Sequence, residues 1–226
     1  GSYVAEGARV SPSGLDGAIG GAIQSVISTH SPSESTSQAE AELEDVWMVT
    51  QSTLFQLVGG VSLRRFDLGA LPIAKATLAW GPSVFKASGE AIPGPALWVL
   101  SGGSLYGLTS DDDGALSAWQ RPLPGSPGLG LSAAGERLYA LGGDGALYEM
   151  DAEGWALIPS DIPFVGLRGR FNTPGLWLLG EHGDLFIYRP GEGLTGLDGQ
   201  PEEPALALLG VDEQGRALIM AGGVQR

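Results

Sequence analysis

The chain has 226 residues, 12 Lys plus Arg against 26 Asp plus Glu for a formal charge of −14, no Cys, 37 Gly and 15 Pro. That charge excludes nucleic acid as a partner, because phosphate binding needs a basic surface, and it opposes adsorption to anionic lipid. Zero Cys excludes a disulfide framework and Cys-ligated metal or cluster sites, and the longest apolar runs, about five residues as at 205–209, fall far short of the ~18 that span a bilayer.

Gly1-Ser2 reads as the scar of a cleaved tag, which would put the natural start upstream. The apolar stretch 17–23 lacks the flanks of a signal peptide, and the sequence assigns no compartment. Residues 3–10 form a candidate strand, and residues 22–28 a second one. Between residues 29 and 45 the chain is rich in Ser and Glu, with no Lys or Arg, which predicts a solvated loop or linker. Its second half, 38–44, is predicted as a turn or two of helix. Residues 1–45 thus form an N-terminal unit of strands and acidic loop, and the regular part of the chain runs from 46 to 226.

Four stretches of that part superimpose: VWMVTQSTLFQL (46–57), LWVLSGGSLYGL (97–108), LYALGGDGALYEM (138–150) and LWLLGEHGDLFIY (176–188), with a weaker fifth, ALIMAGG, at 217–223. The markers Trp47, Trp98, Tyr139, Trp177 and, fifth, Leu218 recur at spacings near forty residues, the mark of repeated supersecondary units. Short aromatic-rich runs closed by turns such as Gly143-Asp144-Gly145 read as strands in tight hairpins. VWMV, LWVL, LYAL and LWLL are apolar at every position, so both strand faces should be buried. A sheet sandwiched between two neighbouring sheets does this. An inner strand precedes each hairpin (76–80, 128–132, 164–167, 205–209). An outer segment ending in Pro follows (64–72, 118–124, 155–163, 195–201), where an edge strand tolerates Pro.

These units resemble β-propeller blades. Residues 138–163 are similar to a kelch-type blade, which pairs a double glycine (Gly142, Gly143) with a later aromatic (Tyr148) and a Trp (Trp155) before a Pro exit. Residues 97–124 keep Gly102, Gly103, Tyr106 and Trp119. The turn-and-aromatic rhythm is equally similar to quinoprotein-type and tectonin-type blades. The resemblance implies an all-β propeller of about five four-stranded blades, at 46–72, 73–124, 127–163, 164–201 and 204–223. The N-terminal strand would join the last blade and close the ring. The runner-up is an incomplete ring that finishes by dimerising or with sequence outside this chain.

Blade geometry puts the inner-to-second and third-to-outer loops on one face. The two longest connections, 29–45 and 81–96, share it, and its loops hold 15 acidic residues and one base, Lys86. Catalytic parts are scarce: the two histidines are His30 in the polar segment and His182 in a hairpin turn, and no nucleophile elbow or paired-His helix occurs. No catalytic or cofactor-binding residue is assigned. Asp111 and Asp113, in the run Asp111-Asp112-Asp113-Gly114, are weak metal candidates. The spacing D-x-D-x-D-G is not met and no bidentate Glu follows, so an Asp-rich hairpin end is the better reading.

The expected function is a non-enzymatic binding or scaffold module that holds a protein on the loop-rich acidic face. Its partner-binding candidates are Phe85, Lys86, Asp111, Asp112, Asp113, Asp151 and Glu153. Residues 81–95 are the most suggestive loop, adding about ten residues to one unit and presenting Phe85 beside Lys86. The alternatives are a glycan-binding propeller of lectin type and, behind it, a carboxylate-dependent hydrolase or lyase. A homodimer is expected only if the ring is incomplete.

Overall fold

In the computed structural model the described residues are 2–3, 5–9, 23–29, 45–50, 53–58, 62–67, 77–81, 96–101, 104–110, 116–123, 128, 130–135, 137–150, 154–170, 173–197, 204–212 and 214–222. The calls for Phe85, Lys86, Asp111, Asp112, Asp113, Asp151 and Glu153, for His30 and for a helix at 38–44 lie outside them. Every regular element among the described residues is a strand.

The chain opens with β1 (Ser2–Tyr3) and β2 (Ala5–Arg9). The first sheet is built from β3 (Ser25–Thr29), β4 (Asp45–Val49), β5 (Thr53–Val58) and β6 (Ser62–Asp67). The second comprises β7 (Thr77–Gly81), β8 (Ala96–Ser101), β9 (Ser104–Ser110) and β10 (Leu116–Pro122). The third holds β11 (Gly130–Ala134), β12 (Arg137–Leu141), β13 (Leu147–Met150) and β14 (Trp155–Ile158). The fourth holds β15 (Phe164–Arg170), β16 (Thr173–Gly180), β17 (Leu185–Arg189) and β18 (Gly193–Gly196). A fifth consists, among the described residues, of β19 (Ala205–Val211) and β20 (Ala217–Ala221). Each sheet is an antiparallel meander, and the inner strands β3, β7, β11, β15 and β19 touch in succession. Meandering sheets stacked side by side along their first strands make a β-propeller of about five blades, each mostly four-stranded.

The apolar runs are buried on both sides because period-two alternation deals successive residues to opposite neighbours. Leu138 and Ala140 of β12 pack with Trp98, Leu100 and Leu105 of the second blade. Tyr139 and Leu141 pack with Phe164, Leu167, Leu176 and Leu178 of the fourth. Likewise Leu179 and the partly buried Trp177 of β16 pack with Ala205 and Leu208 of the fifth. In blades two, three and four the aromatic marker therefore points at the following blade.

Backbone hydrogen bonds tie the two described turns at Gly145 and Gly183 to the next inner strand. Phe164 N donates to Gly145 O (3.1 Å), and Ala205 N donates to Gly183 O (3.1 Å). In return Pro163 O accepts from Glu181 N (3.3 Å) and Pro204 O accepts from Gly222 N (3.4 Å). The positive φ expected of the hairpin turns sits at Gly145 and Gly183, and His182 in the second of these turns is exposed.

One expectation is corrected. The N-terminal strand does not complete the fifth sheet: β2 pairs with β6 along its whole length, and β1 pairs with β10. The N-terminus thus runs along the outer edges of blades one and two. Its backbone pairs with β6 from Ala5↔Phe66 to Arg9↔Ser62, so the N–H and C=O groups of that outer edge have partners. The inner strand expected for blade one at 22–28 is present as β3, paired with β4.

Candidate functional site

On the side of the inner-to-second and third-to-outer connections, the described residues include strand ends of all five blades. Sequence reasoning counted its charge from loops alone. Strand ends on the same side add Arg137, Arg168, Arg170, Arg189 and Arg216. Three of these answer acids: Arg137 pairs with Glu149, Arg189 Nη1 lies 3.6 Å from Glu192 Oε2, and Arg216 Nε lies 2.7 Å from Asp212 Oδ2. The acidic excess of the loops is therefore partly offset at their bases.

The most ordered chemistry on this face is the clasp between blades three and four. Glu149 lies mid-sheet in β13, opposite Tyr139 and 9% exposed, which is unusual for a carboxylate. Its charge is answered by the Arg137 guanidinium, itself half-exposed, and Tyr188 Oη of β17 donates to Glu149 Oε2 at 3.5 Å. Hydrogen bonding to Glu149, followed by its charge, pushes the Arg137 guanidinium still higher. Tyr139 is fully buried, and its hydroxyl makes no hydrogen bond of good geometry although the same carboxylate lies beside it. Burial first, and the Glu149 charge second, push its phenol well above the ordinary tyrosine range. The Tyr139 and Tyr188 rings meet edge to face, centroids 5.9 Å apart. Sequence reasoning missed this clasp. Its signal was available: the residues facing the other markers are Gln56, Gly107 and Ile187, so Glu149 is the lone acid of that register.

Replacing Glu149 by Ala removes the carboxylate while Arg137 can still turn to water, so the loss is smaller than for a fully buried pair. About 1–2 kcal/mol is expected, read as a lower denaturation midpoint at unchanged slope.

In the fifth blade, Asp212 caps its turn by accepting from Gln214 N (3.0 Å) and Arg216 N (2.8 Å). The bond from the Arg216 backbone, chiefly, holds its carboxyl below the ordinary range. These are turn-forming bonds. Trp177 Nε1 donates to Gly215 O of this turn (2.8 Å), linking blades four and five.

The aromatic column is core. Trp98 and Tyr139 are fully buried and Trp47 is 6% exposed, so none of the three offers a face to a sugar ring. No group of three or more His, Cys, Asp or Glu is placed to hold a metal among the described residues. No helix among them is long and apolar enough to cross a membrane.

No family model and no curated protein matches the chain. Solved structures do. The crystal structure of BBS1N in complex with ARL6DN is similar over 88% of this chain and 59% of its own, with a TM-score of 0.61 and 13% identity. That of human WBSCR16 is similar over 91% of this chain and 63% of its own, with a TM-score of 0.54 and 7% identity. This chain therefore spans less than two thirds of either. The likeness is one of fold, and the fold is the β-propeller.

Proposed function

We propose that the chain is a non-enzymatic binding module that holds another protein on the face bearing its inner-to-second loops. The observation that carries this reading is the placement of the long connections. Two of the longest, from β3 to β4 and from β7 to β8, both leave an inner strand for a second strand, which supports their lying on one side of the repeat. BBS1N, to which the chain is similar in fold, was crystallised in complex with ARL6DN, which supports a protein as the class of partner. Phe85 and Lys86 belong to the second of these connections. Asp111, Asp112, Asp113, Asp151 and Glu153 belong to the third-to-outer connections, on the same side of the blades. Mixed charge of this kind favours specificity and steering over bulk affinity.

The test removes the loops without touching the sheets. A variant with residues 82–95 replaced by a short Gly-Ser bridge, and a second carrying Asp111→Asn, Asp112→Asn and Asp113→Asn, should melt within a degree or two of wild type. Both should lose the partner captured by the intact chain in crosslinking and affinity capture. Retention of that partner by both variants overturns the reading.

A further inference from the structure

Two arginines of β15 stand outside the ion pairing that occupies the other strand-end arginines. Residues opposite one another across a ladder share a face of the sheet. Opposite the five markers lie Ile27, Ala79, Ser132, Arg168 and Gly210, so Arg168, facing Trp177, is the one charge in that series. Arg170 lies opposite Thr173. Trp177 and Thr173 both meet blade five at Gly215: the indole donates to Gly215 O, and a Cβ added at Gly215 would stand 3.0 Å from Thr173 Cγ2. Arg168 and Arg170 therefore emerge at one end of the seam between blades four and five. Their backbone is held in place. The register shifts between them, and Gly169 at the shift is clamped to β11, its N–H donating to Ser132 Oγ (2.7 Å) while that hydroxyl donates to Gly169 O (3.4 Å). Blade five has the same shift at Leu209, so the bulge belongs to the repeat and the two arginines are what blade four adds to it. Both side chains are half-buried. Arg168 Nη1 donates to the carbonyl of its own neighbour, Leu167 (2.8 Å), and burial pushes the guanidinium below its ordinary range. Among the described residues no carboxylate pairs with either arginine, whereas Arg137, Arg189 and Arg216 each have one. Asp212, in the adjoining turn, is already held by Gln214 N, Arg216 N and Arg216 Nε. A guanidinium kept partly out of water with most of its N–H donors unused costs stability that an acidic ligand would restore.

We propose that Arg168 and Arg170 bind a carboxylate carried by a protein partner, in a segment that is otherwise neutral or basic. The inference rests on the binding-module reading above and names the chemistry of its partner. A guanidinium matches the planar carboxylate as a two-pronged donor, and a hydrogen bond to a charged acceptor is stronger than one to a neutral acceptor. Polyanions are opposed by the −14 of the whole chain. A single carboxylate escapes that opposition when its own neighbours are not acidic. The connections of blades three to five on this side carry Asp151, Glu153, Glu192 and Glu213, which favour Lys or Arg on either flank of the partner's carboxylate. The pattern expected of the partner is therefore basic, acidic, basic, with the two arginines answering the acid and the loop acids answering the bases.

The peptide acetyl-Lys-Gly-Glu-Gly-Lys-amide, titrated into the full chain and followed by NMR at the arginine Nε–H and indole N–H signals, tests this. The signals of Arg168, Arg170 and Trp177 should move together. The same peptide with Gln in place of Glu should bind at least about tenfold more weakly, as should the Glu peptide to Arg168→Gln or Arg170→Gln. Arg189→Gln, at an arginine of the same side that already holds Glu192, should leave the affinity unchanged. Arg168→Gln should also melt no lower than wild type, because it removes a half-buried charge that the described residues leave unpaired. Equal affinity for the two peptides, or binding of neither, overturns the proposal. So does an Arg189→Gln protein that is weakened as much as Arg168→Gln. An Arg168→Gln protein that melts clearly lower overturns it too, because the arginine is then a structural part of the seam. Inorganic phosphate that displaces the Glu peptide at equal concentration overturns the carboxylate assignment. If the titration fails while the loop variants above still lose their partner, this inference falls and the binding-module reading stands.

Discussion

Replacing Trp98 by Ala should cost about 3–5 kcal/mol, the range for deleting a large aromatic from a packed core. For a chain of this size that lowers the melting temperature by about 6–20 °C. Trp98 is fully buried and sits in the seam between blades two and three, with Leu100, Leu105, Leu131 and Leu138. The fit leaves no slack. A methyl group added at Gly81 would stand 3.0 Å from Trp98 Cδ1 and 3.3 Å from Leu138 Cδ1. The backbone of β7 has thus approached as closely as the indole permits, and neither sheet can slide inward to fill the void without breaking its ladder. The loss should be regional, because in a repeat architecture each unit is held by its neighbours. Hydrogen exchange should therefore quicken in β8, β11 and β12 before it does in β16 and β17. Trp177→Ala should cost less, since Trp177 is only partly buried, although it also forfeits its bond to Gly215 O. A Trp98→Ala protein that melts with wild type would mean that the marker column does not hold the blades together.

The readability of the sequence followed the same division. Strands whose side chains decide their placement were legible. VWMV, LWVL, LYAL and LWLL announce two buried faces, and β4, β8, β12 and β16 have them. The inner strands at β7, β11, β15 and β19, and the outer strands before each Pro exit, follow from turn chemistry and the repeat. The N-terminal strand was not legible in its pairing. AEGAR meets β6 through backbone hydrogen bonds at an outer edge, and backbone bonds carry no residue code to distinguish one open edge from another. The charge count of the loops was incomplete at the strand ends, for a geometric reason. Arg137, Arg189 and Arg216 lie at strand termini, so a tally confined to loops omits side chains that emerge on the same side. The clasp at Glu149 was hidden because its partners Arg137 and Tyr188 come from two different strands, twelve and thirty-nine residues away. Of the loop candidates, Phe85, Lys86 and the Asp111–Asp113 run, the sequence predicts only their presence on connections. That much supports a proposal of binding and none of catalysis.

Gly183→Ala should be the most damaging single methyl in the described turns, at about 2–5 kcal/mol, from two separable causes. The first is conformation: Gly183 has φ +88°, where a side chain is strained. The second is contact across the blade seam. A Cβ at this position would lie 2.6 Å from Pro204 Cβ and 3.0 Å from the backbone N and O of Ala205. Neither neighbour can yield by changing rotamer, because one is a proline ring and the other is main chain at the start of β19. The same approach brings Gly183 O within 3.1 Å of Ala205 N, so relieving the clash means giving up that bond between blades. Gly145 repeats the design one blade earlier, at φ +81° and with Pro163 in the role of Pro204. Gly191 separates the two causes. Its φ is +85°, but nothing lies within 4 Å of an added Cβ, so Gly191→Ala should pay the conformational cost alone, about 1–2 kcal/mol. Denaturant melts of the two variants give the difference directly. If Gly183→Ala is no less stable than Gly191→Ala, the glycine serves only its own turn and the contact between successive blades contributes nothing there. If it is clearly less stable, the small residue is required by the neighbouring blade, and the glycine-to-proline spacing of the repeat is a packing rule between units as well as a turn signal within one.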